Sequence, residues 1–203
     1  PGLGAVEGAT TAATFLGAEL IVIGTDQGKI LGFEASGEAL RRLFELPAHQ
    51  GPVTALVADV LGKTLVSVGA DGALKTWSST GTELKASGTA AISERPLRAV
   101  ALDPSGASLA AGGDDGVLRL LAIAELSKAP RATPLEGGAI SALAFLGDGR
   151  VAAGSADGAI RFAFTEGQSD VEDRAGEHAH IGPIRALVMG PVIFGDADQE
   201  LPR

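Results

Sequence analysis

The chain has 203 residues, of which 45 % are hydrophobic and 20 % charged, enough apolar content to bury a sizeable core and too much for a disordered tail. It has no cysteine, so disulfides, thiolate metal sites and a cysteine nucleophile are excluded, and three histidines leave few ligands for a multi-histidine metal centre. A formal net charge of −9 opposes phosphate backbones and anionic membrane surfaces, so neither nucleic-acid binding nor direct membrane insertion is expected.

No apolar run nears the roughly 18 residues of a bilayer span. The start, Pro1-Gly2-Leu3-Gly4, carries neither an initiator methionine nor a basic leader, which suggests a processed chain or a piece of a longer one. An intracellular, cytoplasmic location fits the absence of cysteine. Glycine, 29 of 203, is about twice its usual share of roughly 7 %, so the chain turns often and long helices are not expected.

In chain order, Leu3 to Glu7 reads as a short strand, followed by an inner strand near Thr10 and an apolar strand ending at Ile23-Gly24-Thr25-Asp26. Ser36 to Leu46 has Leu40, Leu43 and Phe44 at helical spacing. However, Ser36-Gly37-Glu38-Ala39-Leu40 aligns with Thr80-Gly81-Thr82-Glu83-Leu84, so it is assigned to a strand. Residues 52–86 set the pattern. Pro52 to Ala58 is a strand, Gly62-Lys63 a turn and Leu65 to Gly69 a second strand. Asp71-Gly72 is a tight turn, Leu74 to Trp77 a third strand, Thr80-Gly81 a turn, and Leu84 starts a fourth strand. Farther on, Asp103-Pro104-Ser105-Gly106 and Gly147-Asp148-Gly149 read as hairpin turns.

The pattern repeats. Gly51-Pro52-Val53-Thr54-Ala55-Leu56 returns as Arg95 to Val100, Gly138 to Leu143 and Gly182 to Leu187, with a weaker copy at Thr10 to Ala13. The shared alanines, 12, 55, 99, 142 and 186, are spaced by 43, 44, 43 and 44. A second anchor, a turn aspartate, is aligned at 26, 71, 115, 157 and 198. Two anchors agreeing on one period, with four strands per period, point to propeller blades.

These residues resemble the WD40 family. In the second repeat His49 is followed by Val53 and Leu56, Ser67 lies four before Asp71, and Trp77 lies six after it, with Ala48 in place of the usual glycine. The resemblance implies a structural tetrad of His49, Ser67, Asp71 and Trp77. The third repeat has Ser93, Ala111 and Leu121 at the His, Ser and Trp positions, and the fourth has Glu136, Ala153 and Ala163. The family's hydrogen-bond chain is therefore expected in the second repeat alone. A Ser/His/Asp set can also be read as a hydrolase triad, but Ser67 lacks a nucleophile elbow, and the tetrad explains its hydroxyl.

The expected fold is all-β, one WD40-type propeller domain over 1–203. Its blades are placed at about 9–47, 51–90, 95–135, 138–177 and 182–203, with an added strand at 3–7. A closed five-blade ring and part of a larger propeller both fit, and the partial propeller is preferred. The resemblance implies a non-catalytic protein–protein interaction scaffold, a subunit of a larger assembly, with no cofactor, metal or catalytic residue. The alternative is a peptide-reading adaptor with its ligand over the central channel, and a propeller enzyme ranks below both.

The candidate partner face comprises Gln50, Arg95, Arg98, Asp114, Ile181 and Arg185, with Thr25 and Ala156 at related positions. Arg98 and Arg185 share an inner-strand position and could meet a carboxylate, although solvation or pairing with nearby acids is the preferred reading. The acidic stretch 166–177 lacks the alternation and glycine of a calcium loop, and Asp114-Asp115 is engaged by its turn. Gly24, Gly69 and Gly113 form no dinucleotide fingerprint because no helix follows them.

Overall fold

A computed structural model describes residues 7–18, 20–36, 39–146, 148–165, 171–172 and 182–187. Among the described residues sixteen strands build four antiparallel four-stranded sheets, and each sheet uses four consecutive strands. The first holds β1 (Thr10–Leu16), β2 (Leu20–Thr25), β3 (Lys29–Ser36) and β4 (Ala39–Pro47). The second holds β5 (Val53–Ala58), β6 (Thr64–Gly69), β7 (Ala73–Ser79) and β8 (Leu84–Ala91). The third holds β9 (Leu97–Leu102), β10 (Ser108–Gly113), β11 (Val117–Ala122) and β12 (Arg131–Pro134). The fourth holds β13 (Ile140–Phe145), β14 (Arg150–Ser155), β15 (Ile160–Phe164) and β16 (Val171–Glu172). Among the described residues the four sheets do not close into a ring. The segments 3–6, 173–181 and 188–203, with His178, His180, Ile181 and Asp198, lie outside the described residues.

The helix-like spacing of Leu40, Leu43 and Phe44 gives way to β4, which pairs with β3 from Lys29↔Pro47 to Ser36↔Ala39. Pairing wins because β3 offers a backbone ladder and Gly32 leaves room for the Phe44 ring beside it. The turns before β3, β7, β11 and β15 are alike. Gly28, Gly72, Gly116 and Gly158 have φ of +77°, +73°, +69° and +85°, and each donates its N–H to the carbonyl three residues earlier. At Gly72 a Cβ would also fall 2.0 Å from the Ser93 carbonyl oxygen, so both torsion and space require glycine.

The core lies in layers between sheets. Val22, Ile30, Val53 and Leu65 fill the first layer, Val66, Val68, Leu74, Leu97 and Leu109 the second, and Leu118, Ile140 and Val151 the third. All twelve are fully buried, and each such side chain contributes about 1.5–3 kcal/mol over the exposed state. Inner strands β1, β5, β9 and β13 neighbour one another in that order. Each carries one extra residue near its start, Thr11, Thr54, Arg98 or Ser141, where the pairing register with the next strand slips. Such bulges re-aim a side chain, and here they set one residue per sheet at the channel.

Candidate functional site

Two sets of polar side chains stand out: a buried one at the turn aspartates and an exposed one around the channel. In the second sheet the structure brings His49, Ser67, Asp71 and Trp77 together. His49 Nδ1 lies 3.0 Å from Asp71 Oδ1, His49 Nε2 lies 2.9 Å from Ser67 Oγ, and Trp77 Nε1–H donates to Ser67 Oγ at 3.0 Å. Proton counting fixes the direction. The indole only donates, so Ser67 accepts from it and passes its own hydrogen to His49 Nε2, and Nδ1–H then donates to Asp71. Burial holds the His49 pKa below its ordinary value despite the attraction of Asp71, which keeps the imidazole neutral. Burial alone would raise the Asp71 pKa. Backbone N–H groups of Gln50 and Ala73, at 2.9 and 3.1 Å, together with His49, outweigh it and lower the pKa. Ser67 is fully buried, so its hydroxyl cannot meet a substrate as a hydrolase nucleophile would.

The third and fourth sheets solve the same problem differently. Asp115 accepts Arg119 Nη2 at 2.5 Å and Nη1 at 3.2 Å, the Ser93 hydroxyl at 3.1 Å and the Val117 N–H at 3.1 Å. Asp157 accepts Arg161 Nη2 at 2.8 Å, the Ser155 hydroxyl at 2.7 Å and the Ala159 N–H at 3.0 Å. Both arginine side chains are buried, at 10 % and 7 % exposure. The Arg161 guanidinium holds the Asp157 carboxyl well below the usual carboxylate range. Sequence reasoning missed Arg119 and Arg161. The available signal was a basic residue four positions after each turn aspartate, Lys75, Arg119 and Arg161.

The first sheet corrects the alignment. Gly28 N bonds Thr25 O as Gly72 N bonds Gly69 O, so Gln27, not Asp26, occupies the place of Asp71. Asp26 instead matches Asp114 in the turn, and it accepts the Ala9 N–H at 2.9 Å. The 45-residue step from Asp26 to Asp71 had absorbed that one-residue slip. Thr25 is fully buried, its hydroxyl in contact with Lys29 N at 3.1 Å, and so it is not part of a partner face.

The channel is a depression of about 450 Å³ lined by Thr11–Ala13, Thr54–Leu56, Arg98–Val100, Ser141–Leu143 and Arg185–Leu187. Of the candidate face, Arg98 and Arg185 line it, and Asp114 grips Arg98 through two bonds of 2.8 Å, Nε to Oδ1 and Nη2 to Oδ2. That pairing raises the Arg98 pKa and lowers that of Asp114. Gln50 and Arg95 are exposed nearer the turns, and Arg95 lines a neighbouring depression with Glu94, Asp115 and Arg119. Ile181 lies outside the described residues. No group of three or more His, Asp or Glu among the described residues is placed to hold a metal ion, and no described helix is long and apolar enough to cross a membrane.

No curated protein matches the chain. Residues 40–78 and 87–120 match the family described as WD40: WD domain, G-beta repeat. Domains of this kind generally mediate protein–protein interaction and are generally non-catalytic. The two matched segments span about a third of the chain, and with the repeated four-stranded sheets they show WD40 repeats within it.

Proposed function

We propose that the chain is a non-catalytic scaffold that works as a structural subunit of a larger multiprotein assembly, within a single propeller domain whose blades follow the five sequence repeats. The observation that carries this reading is the fate of its buried polar groups. In sheets two to four every turn aspartate is held by backbone and side-chain donors, so these groups stiffen blades instead of facing a substrate. Rigid blades presenting variable loops suit contact with other proteins. Few aromatic side chains are available as anchors, with one Trp, seven Phe and no Tyr, which favours broad contact over one deep hot spot. Cross-linking of the native protein, followed by mass spectrometry, tests the reading. Cross-links from this chain to other polypeptides are expected, and exclusively intrachain cross-links would contradict it.

A second reading, an adaptor with a peptide over the channel, is favoured by one observation: Arg98 and Arg185 are the charged residues lining the depression.

A further inference from the structure

Four large apolar side chains are exposed among the described residues: Phe15 at 65 %, Leu40 at 41 %, Val60 at 84 % and Leu61 at 71 %. All four lie at one end of the first two sheets, away from the glycine turns at Gly28 and Gly72. Phe15 stands opposite Ile21 where β1 leads into β2, and Leu40 stands opposite Ala35 where β3 leads into β4. Val60 and Leu61 join β5 to β6. Exposed apolar residues scattered singly need no explanation, but a group at one end does.

The fold does not ask for Val60 and Leu61. They are the central pair of a tight turn, closed by the Gly62 N–H donating to the Asp59 carbonyl at 3.1 Å. The same turn in the third sheet, closed by the Gly106 N–H on the Asp103 carbonyl at 2.9 Å, has Pro104 and Ser105 there. Those are the residue types that such a turn favours.

Beside the turn is a hollow. A depression of about 560 Å³ lies between the first and second sheets, lined by buried Leu16 and Leu20, half-buried Leu43, and Leu61. Gly62 sits against Gly17, where a Cβ would fall 2.6 Å from the Gly17 nitrogen, so the projecting turn is held next to the hollow. The charged residues lining it, Lys63 and Glu34, are of opposite sign, and Glu34 pairs with Arg41 at 2.7 Å. The chain carries a net charge of −9, yet this end is locally balanced, which lessens repulsion between two copies that meet here.

We propose that this end is a self-association surface on which two copies of the chain pair, with Val60 of each entering the leucine-lined depression of the other. A second copy fits better than an unrelated protein. The surface carries an apolar projection and an apolar hollow side by side, which is the self-complementarity that a twofold interface needs. Such pairing goes beyond the scaffold reading and is independent of it.

Sedimentation velocity of the full chain, from about 1 µM to about 200 µM, tests the pairing. The mass should rise from 20.3 kDa toward twice that value and stop there. Val60→Asp should weaken pairing by roughly tenfold or more, because it places a charge in an apolar hollow. Ser105→Asp, in the equivalent turn of the third sheet, should leave pairing unchanged. Both positions are exposed, so both variants should keep the wild-type melting temperature. A wild-type chain that stays at 20.3 kDa throughout would overturn the second copy as occupant. Loss of a cross-link to another polypeptide in Val60→Asp would then assign the surface to that protein instead. Undiminished pairing by folded Val60→Asp would overturn the site. A mass that climbs past twice the monomer would overturn the twofold arrangement. Cross-links from the native protein to other polypeptides report on the scaffold reading separately, so the two failures are distinguishable.

Discussion

The second sheet and the fourth bury the same group, a turn carboxylate, with different chemistry. Around Asp71 the charge is met by backbone N–H groups and a neutral His49, whose far nitrogen is tied through Ser67 to Trp77. Around Asp157 it is met by a buried guanidinium four residues on, with Ser155 and one backbone N–H. In sheets two to four a carboxylate caps the tight turn, and in the first sheet Gln27 stands in its place. The fold does not require the histidine–serine–tryptophan chain, because an arginine from the same sheet supplies donors and countercharge at once. The two solutions should fail differently when donors are removed or protons added.

The largest effect is expected in the fourth sheet. Arg161→Ala leaves Asp157 partly buried without its countercharge, and should cost about 3–5 kcal/mol in urea unfolding. Replacing both partners, Asp157→Asn with Arg161→Met, should cost clearly less than Arg161→Ala alone. If the double variant is no more stable than the single one, the pair is not what holds that turn.

In the second sheet Ser67→Ala removes a neutral hydroxyl and strands both the indole N–H and His49 Nε2. The expected loss is smaller, about 2–3 kcal/mol, from two buried groups left unsatisfied. A near-neutral Ser67→Ala would break the hydrogen-bond chain described here.

Next comes the contrast between Asp71 and Asp26. Asp71→Ala should lower the urea midpoint substantially. Asp26→Ala should cost less than about 1 kcal/mol, because Asp26 makes one exposed backbone bond. Equal midpoints for the two variants would restore the alignment of Asp26 with the turn aspartates.

The smallest effect is also the most selective. The folded pKa of His49 lies below its ordinary value near 6.5, so the unfolded chain binds the proton more readily. Its contribution is intact above pH 6.5 and declines as pH falls toward the folded value. Asp71, Asp115 and Asp157 are also depressed, so their contributions persist above about pH 4 and disappear as pH falls through their folded values. The difference in stability between wild type and His49→Gln should therefore narrow between pH 6.5 and 5, with contributions from the other histidines cancelling. A difference that stays constant over that window would contradict a neutral buried His49.

Much of this architecture is legible in the residues. Turn glycines such as Gly72 and Gly116 announce their positions because positive φ disfavours other side chains, and the short apolar run Leu65 to Gly69 between two turns marks a buried strand. The tetrad is legible through its spacing. Arg119 and Arg161 are not, because an arginine four residues after an aspartate looks the same in sequence whether it reaches solvent or folds back across a turn. Asp26 misleads for a related reason, since a one-residue slip leaves a plausible period while changing which side chain caps the turn. The slip at Thr54 that turns a side chain toward the channel has no residue signature of its own; it exists only in the pairing of Val53 with Gly69 and Ala55 with Val68.

The turn carboxylates of sheets two to four are held by internal donors, which supports the proposed reading of the chain as a subunit of an assembly. Native mass spectrometry of the protein gently isolated from its source tests that assignment most directly. The account predicts a species far heavier than 20.3 kDa that releases other polypeptides on dissociation. The chain recovered alone, with no companion polypeptide, would contradict it.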